Sequence, residues 1–217
     1  VRVLAWSEVA FATADAGQQA RALTILTQAQ QVARRQTDQS SQAVWAGHFA
    51  RVGAFDRALA IVNSLKGYEQ AAARLAVAEG YARAGQYAPA IAMVQRVRDG
   101  EMQVVGDIPD PKADTLNQIL RRALMARQYE TALRTANSFD RGEGRVKALR
   151  TIAQQYRQGK QPEKATAVLG QAVAAARTVD RITIFYDRNT FFGVSNAGLL
   201  IDLAQDYLSL NQPERAR

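Results

Sequence analysis

The chain repeats one short helix–turn–helix pattern six times, and this repetition restricts its fold more than any other feature. The copies are TADAGQQARA (13–22), FARVGAFDRA (49–58), YARAGQYAPA (81–90), ALMARQYETA (123–132), YRQGKQPEKA (156–165) and YLSLNQPERA (207–216). Their final alanines are separated by 36, 32, 42, 33 and 51 residues. Periods of this size indicate stacked supersecondary units rather than a single globular core.

The residue that ends the first helix of each copy has a stereochemical role. A helix commonly ends in a left-handed residue, a conformation that glycine adopts without a steric penalty. Three copies have glycine at this turn position: Gly17, Gly53 and Gly85. Asn211 occupies it in the last copy. In the fifth copy Lys160 breaks the pattern, so we predict that the preceding Gly159 adopts the left-handed conformation. Arg127 also breaks the pattern, so we expect a different turn in the fourth copy.

Large and small apolar residues recur in phase with these turns. In five copies an alanine lies three positions before the aromatic position of the pattern, and a large apolar residue precedes that alanine. The pairs are Val9–Ala10, Trp45–Ala46, Val77–Ala78, Ile152–Ala153 and Leu203–Ala204. The combination resembles the tetratricopeptide repeat (TPR) from about Ser7 to Ala216, although its early tryptophan is present only as Trp6. The resemblance implies an all-α fold, an α-solenoid in which antiparallel helix pairs form a right-handed superhelix.

The same pattern predicts the helix pairs of a single repeat domain spanning 1–217. We expect helices at 3–15 and 18–35, 40–52 and 55–66, 69–84 and 87–98, 113–126 and 129–139, 144–158 and 162–178, and 196–210. A partner of the last helix begins at 213, so the sixth unit (196–217) is truncated and the chain is expected to continue beyond Arg217. The other units cover 3–35, 40–66, 69–98, 113–139 and 144–178, with insertions at 99–113 and 178–196.

The first insertion contains three aspartates, Asp107, Asp110 and Asp114. Their spacing lacks the alternating carboxylates and the central glycine of a calcium-binding EF-hand loop. We therefore predict a loop that ends with Asp114 as the N-cap of the next helix.

The second insertion is rich in aromatic residues, because Phe185, Tyr186, Phe191 and Phe192 lie within eight residues. Apolar groups of this size are normally covered in a folded protein. Two interpretations remain open. The rings fold back onto neighbouring helices, or they form a contact patch for a partner or for a second copy of the chain.

Residue types typical of catalytic and metal sites are scarce. The chain has no cysteine and a single histidine, His48, which excludes thiolate sites and multi-histidine metal sites. The segment RGEGR (141–145) lacks the remaining features of a phosphate-binding loop, so we interpret it as an inter-helix turn. No facing pair of carboxylates for acid–base chemistry is evident. We therefore expect no catalytic residue, no metal ion and no cofactor.

Charge favours acidic partners. The net charge of +8 comes from 23 arginines and 5 lysines against 20 acidic residues, and arginine pairs bidentately with carboxylates and phosphates. A genome rich in G and C is the alternative explanation for so much arginine. No apolar run is long enough to span a bilayer, and the sequence starts at Val1 without a leader, which leaves the compartment open.

The TPR resemblance also implies a ligand-binding surface. In proteins of this kind the first helices line a concave groove, where partner peptides bind. The matching positions are Ser7, Phe11, Gly47, Arg51, Glu79, Arg83, Asn117, Arg121, Arg150, Gln154 and Arg157. Its five arginines would attract an acidic segment or a chain carboxylate, whereas the alternative is a merely solvated face.

Three functions are compatible with these features. The first is a non-catalytic scaffold that binds a protein or peptide, expected to be acidic, in the basic groove. The second is nucleic-acid binding, to RNA above all, although the regular aromatics Phe49, Tyr81, Tyr156 and Tyr207 occupy packing positions rather than stacking positions. The third is an accessory module of a larger enzyme or assembly. Formation of a homo-oligomer is compatible with each of them.

Overall fold

The computed structural model describes residues 2–33, 38–98, 101–102, 110–179, 183–187, 190–194 and 196–216. In residues 2–4, 183–187 and 190–194 the description covers the backbone alone. The chain divides into two compact units, formed by 1–105 with 109–122 and by 106–108 with 123–217. Each unit has fully buried apolar side chains, such as Phe49 in the first and Ile152 in the second.

The first unit is built of helices. They are α1 (Arg2–Asp15), α2 (Gln19–Val32), α3 (Gln39–Arg51), α4 (Phe55–Ser64), α5 (Gly67–Arg83), α6 (Tyr87–Gln95) and most of α7 (Pro111–Met125). The second unit contains α8 (Tyr129–Ala136), α9 (Gly142–Gln158), α10 (Pro162–Arg177), α11 (Asn196–Leu208) and a short 3₁₀-helix, Pro213–Arg215. Between α10 and α11 lie strands β1 (Thr183–Asp187) and β2 (Thr190–Val194).

The helices confirm the predicted all-α class, and within each unit they pack in pairs. Helix α1 packs on α2, α3 on α4, α5 on α6, and α9 on α10, as expected for helix pairs. The predicted bounds of the α-helices agree with the observed bounds to within three residues. Among the described residues, none of the helices combines the length and the hydropathy that crossing a bilayer requires.

Six inter-helix turns share one hydrogen-bond pattern. The residue at the turn position has a φ between 55° and 83°, and these residues are Gly17, Gly53, Gly85, Arg127, Lys160 and Asn211. Its N–H donates to the carbonyl three residues earlier, and the next N–H donates to the carbonyl five residues before itself, at 2.8–3.2 Å throughout. This is the Schellman motif, which satisfies two carbonyls at the end of the first helix.

Two predictions about these turns are wrong. Lys160 itself is left-handed, with a φ of 55°, whereas Gly159 has a φ of −77°. Arg127 has a φ of 56°, so the fourth turn is of the same type as the others. A left-handed conformation costs a non-glycine residue roughly 1–2 kcal/mol. The two main-chain hydrogen bonds of the turn and the packing of the helices on either side offset that cost.

Helices α3 and α5 approach each other closely at two glycines. A Cβ added to Gly47 would lie 2.9 Å from the Cβ of Ala76. A Cβ added to Gly80 would lie 2.6 Å from the Cβ of Ala50 and 2.8 Å from the carbonyl carbon and oxygen of that residue. The first helices of consecutive pairs therefore meet at the level of their backbones, and glycine is required there.

The N-cap of α7 is Asp110, not the predicted Asp114. The Asp110 carboxylate accepts hydrogen bonds from the backbone N–H groups of Lys112 and Ala113, at 3.0 and 3.4 Å. Asp114 lies inside the first turn of the helix, because α7 begins with Pro111, which suits a first helical position. Asp107 lies outside the described residues.

The second insertion contains an antiparallel β-hairpin that was not predicted. Strand β1 pairs with β2 from Thr183 opposite Val194 to Asp187 opposite Thr190. The four aromatic residues of the predicted contact patch lie in these strands, in the pairs Phe185–Phe192 and Tyr186–Phe191. Their side chains lie outside the described part of the structure, so both interpretations of the patch stay predictions.

Candidate functional site

Helices α5 and α7 of the first unit carry four of the predicted groove residues. The two helices are joined by a hydrogen bond in which Nε2 of Gln118 donates to Oε1 of Glu79 at 3.0 Å. Glu79 and Arg83 lie one turn apart on α5, and Asn117 and Arg121 lie one turn apart on α7. All four are exposed. We call the surface formed by Glu79, Arg83, Asn117 and Arg121 the α5–α7 face.

The two arginines of the α5–α7 face are available for a partner. Within the described residues, neither the Arg83 nor the Arg121 side chain takes part in a hydrogen bond, an ion pair or a ring contact. Arg74, also on α5, is engaged instead, because it donates to the carbonyl oxygen of Arg96 at 2.9 Å and lies 3.8 Å from a carboxylate oxygen of Glu101.

Three other predicted groove residues belong to a junction between α1 and α3. Ser7 and Phe11 of α1 are buried, with 1% and 4% of their surfaces exposed. Ser7 Oγ lies 3.3 Å from Nδ1 of His48, and the Phe11 ring is edge-on to the imidazole at 5.1 Å between centroids. The Arg51 guanidinium lies 4.1 Å from the Phe11 centroid, and the Trp45 ring is 5.4 Å from the imidazole. These five residues form the His48 cluster.

The Ser7–His48 contact has a structural role. Burial lowers the pKa of His48 and the nearby Arg51 guanidinium lowers it further, whereas Glu8 acts in the opposite direction. The imidazole is therefore favoured in its neutral form. A nucleophilic serine must reach a substrate, and the burial of Ser7 prevents such access.

Of the predicted groove residues in the second unit, Arg150 contacts α11. Arg150 Nη1 donates to Asp202 Oδ2 at 2.5 Å, and Arg150 Nε donates to Asp206 Oδ2 at 2.6 Å. Burial lowers the pKa of Arg150, but the hydrogen bonds and charges of Asp206 and Asp202 outweigh it and raise the pKa above its usual value. Arg150 is thus already saturated by two carboxylates of one helix.

A shallow cleft lies next to this ion-pair cluster. Its polar lining includes Gln154, Arg157, Asp206 and Ser209. Arg157 Nη1 donates to Ser209 Oγ, and Asp206 accepts from Arg150, so three of these four groups have partners within the unit. Gln154 is exposed. Among the described residues, no group of three or more histidine, aspartate and glutamate side chains is placed to hold a metal ion.

Asp202 and Asp206 were missed by sequence reasoning. They lie 52 and 56 residues from Arg150, beyond an insertion that breaks the phase of the repeats. The available signal was their i, i+4 spacing, which places both carboxylates on one side of a helix. Gln118 was missed as well, since nothing in its neighbourhood indicates a hydrogen bond to α5.

Comparisons with known proteins give a structural neighbour. No family model matches the chain. No curated protein matches it either. Among solved structures, a Podosopora anserina chain described as a kinesin light chain with nearly identical TPR-like repeats is similar over 99% of this chain and 90% of that chain. The sequence identity is 17% and the TM-score is 0.36.

Proposed function

We propose that the chain is a non-catalytic, TPR-like helical-repeat scaffold that binds an acidic protein segment on the α5–α7 face. The observation that carries the proposal is the state of Arg83 and Arg121. Both are exposed, and within the described residues no carboxylate or carbonyl compensates either guanidinium. Arg150, in contrast, has acquired two carboxylates from its own chain.

A carboxylate-bearing partner fits the chemistry of this face. A hydrogen bond between guanidinium and carboxylate contributes about 1.5–3 kcal/mol when the pair is partly desolvated, and two such contacts orient a bound segment. Glu79 and Asn117 add a carboxylate and an amide beside the arginines. The face therefore suits a segment in which acidic side chains are accompanied by hydrogen-bonding ones. Binding through exposed charges weakens as salt screens them, without vanishing.

The position of the regular aromatic residues supports a protein ligand over a nucleic acid. Single-stranded nucleic acids are bound by stacking bases on accessible aromatic rings. The four aromatics that recur in the repeats are nearly inaccessible, with exposures of 1% for Phe49, 8% for Tyr81, 7% for Tyr156 and 5% for Tyr207. Because these recurring rings are buried in packing positions, they are not available to stack bases, which favours an acidic peptide as the ligand.

The proposal is tested with defined probes in fluorescence anisotropy at low and at physiological salt. The probes are a labelled peptide of glutamate, asparagine and glycine, a peptide of the same length with glutamine for glutamate, and single-stranded RNA. We expect the acidic peptide alone to bind with measurable affinity. The variant Arg83→Glu/Arg121→Glu should weaken its binding by about tenfold or more, which corresponds to roughly 1.4 kcal/mol or above.

A matched control separates the α5–α7 face from the overall charge. Arg134 of α8 and Arg177 of α10 are exposed and lie on second helices, so Arg134→Glu/Arg177→Glu changes the net charge by the same amount. We expect this control to bind nearly as well as the unmodified chain. Equal losses in the two variants would refute the site, and preferential RNA binding would replace the proposed ligand class.

A further inference from the structure

The first helix pair contacts the following pair through polar and aromatic side chains. These contacts include the His48 cluster and a hydrogen bond from Arg57 Nη1 of α4 to Thr27 Oγ1 of α2, at 2.5 Å. The next junction is different, because α3 and α5 meet at the level of their backbones at Gly47 and Gly80. The docking of α1–α2 therefore depends on the state of a few side chains, and His48 contacts α1 through both Ser7 and Phe11.

A positive charge on His48 is unfavourable in this position. The Phe11 ring already has the Arg51 guanidinium 4.1 Å from its centroid, and the imidazole is 5.1 Å from the same centroid. Protonation would place a second cation near the first, with the Trp45 ring 5.4 Å from the imidazole. His48 is half-buried, and a charge that is partly removed from water without a carboxylate hydrogen-bonded to it is costly.

The charged groups around the imidazole do not offset this cost. Those that act on His48 are Arg51 on its own helix and Glu8 on α1, and the arginine has the stronger influence. Helix α5, which packs against α3, presents the small residues Ala76 and Gly80 at its closest approaches. Neither of these brings a carboxylate to the imidazole.

We propose that protonation of His48 loosens the docking of α1–α2 on α3, so that the first helix pair opens more often in mildly acidic solution than near neutral pH. The direction follows from linkage. The docked state lowers the pKa of His48 below its ordinary value of about 6.5. The stabilising contribution is therefore present above pH 6.5 and is lost as the pH falls from there towards the lowered pKa. This inference concerns the opposite end of the first unit from α7 and does not rest on the proposed function.

The chain has one histidine, so an NMR titration reports on His48 alone in untagged protein. We expect the imidazole to titrate below its ordinary pKa. The chemical shifts of backbone amides in α1 should change over the same pH range. Hydrogen exchange should show opening of 5–32 increasing several-fold between about pH 7.5 and about pH 5.5, after correction for intrinsic rates, whereas α9 and α10 stay constant.

Two variants test the assignment to His48. His48→Gln retains a hydrogen-bonding side chain that does not titrate, and it should remove the pH dependence of opening in 5–32. Glu8→Gln alters an exposed residue and leaves the cluster in place, so it should move the imidazole titration to lower pH. An imidazole pKa at or above 6.5, or the same pH-dependent opening in His48→Gln, would overturn the proposal.

Discussion

Phe55 of α4 and Tyr81 of α5 stack face to face, with ring centroids 4.1 Å apart and ring planes inclined by 8°. The same relationship recurs in the second unit, where Tyr129 of α8 stacks on Tyr156 of α9 at 4.4 Å and 21°. In both cases the second helix of one pair contacts the first helix of the next. The stack is thus a repeated element of the junction between helix pairs.

The stack predicts an energetic coupling between Phe55 and Tyr81. In a double-mutant cycle with Phe55→Leu and Tyr81→Leu, we expect a coupling energy of about 0.5–1.5 kcal/mol, because stacked rings gain that much beyond their buried area. Urea unfolding measures it. The cycle of Tyr129→Leu with Tyr81→Leu is the control and should be additive, since these rings have different stacking partners. Additivity in the first cycle would show that the stack contributes nothing beyond burial.

The approach of α3 to α5 predicts that Gly80→Ala destabilises the chain. A new methyl group would overlap the backbone of Ala50, and we expect this overlap to cost about 1–3 kcal/mol of unfolding free energy. The gain in helix propensity from glycine to alanine, roughly 1 kcal/mol, should not compensate for it. Thermal and urea unfolding measure the change.

A second variant of the same junction provides the control. The methyl group of Gly47→Ala would clash with the Cβ of Ala76, 2.9 Å away, and adding Ala76→Gly should restore most of the lost stability. If Gly80→Ala proved more stable than the unmodified chain, the close approach would be refuted.

The left-handed conformations of Arg127 and Lys160 predict stabilising substitutions. Arg127→Gly and Lys160→Gly relieve a backbone strain of roughly 1–2 kcal/mol and lose part of it to chain entropy, so each should stabilise by about 0.5–1 kcal/mol. The urea midpoint should rise accordingly. Arg134→Gly, at an exposed position inside α8, is the matched control and should destabilise by about 1 kcal/mol. A loss of similar size at Arg127 would contradict the assigned turn.

The ion pairs of Arg150 predict unequal roles for the two aspartates. The Asp206 side chain is 15% exposed and that of Asp202 is 47% exposed. We therefore expect Asp206→Asn to destabilise α11 by about 1–2 kcal/mol and Asp202→Asn by less than about 1 kcal/mol, because water screens the exposed pair. Hydrogen exchange of 196–208 measures both. The reverse order would indicate that Asp202 is the main partner of Arg150.

Much of the fold was predictable, because several helix ends have a local signal in the sequence. Gly17, Gly53 and Gly85 mark three turns directly, and the recurring alanines fix the phase of the second helices. The turns at Arg127 and Lys160 were misjudged because their conformation is set by hydrogen bonds to the preceding helix, which side-chain preferences do not reveal. The hairpin of β1 and β2 was missed because its segments lie in an insertion that the repeat pattern does not cover.

The candidate site was predictable only in part. Periodicity places Arg83 and Arg121 on first helices, but it does not distinguish an exposed arginine from one that is already paired, such as Arg150. That distinction depends on Asp202 and Asp206, which reach Arg150 through tertiary structure alone. For the same reason, the contact of His48 with α1 could not be derived from sequence spacing.

The six Schellman turns have a consequence for how such a chain changes over evolutionary time. Since main-chain atoms make the bonds that close each turn, glycine, arginine, lysine and asparagine all occur at its left-handed position, although the non-glycine residues have a conformational cost there. Repeat units descended from one ancestor can then lose their sequence similarity and still keep the same turn geometry. Relatives of this protein are best sought by the geometry of the peptide backbone, which persists after the amino-acid sequences have diverged.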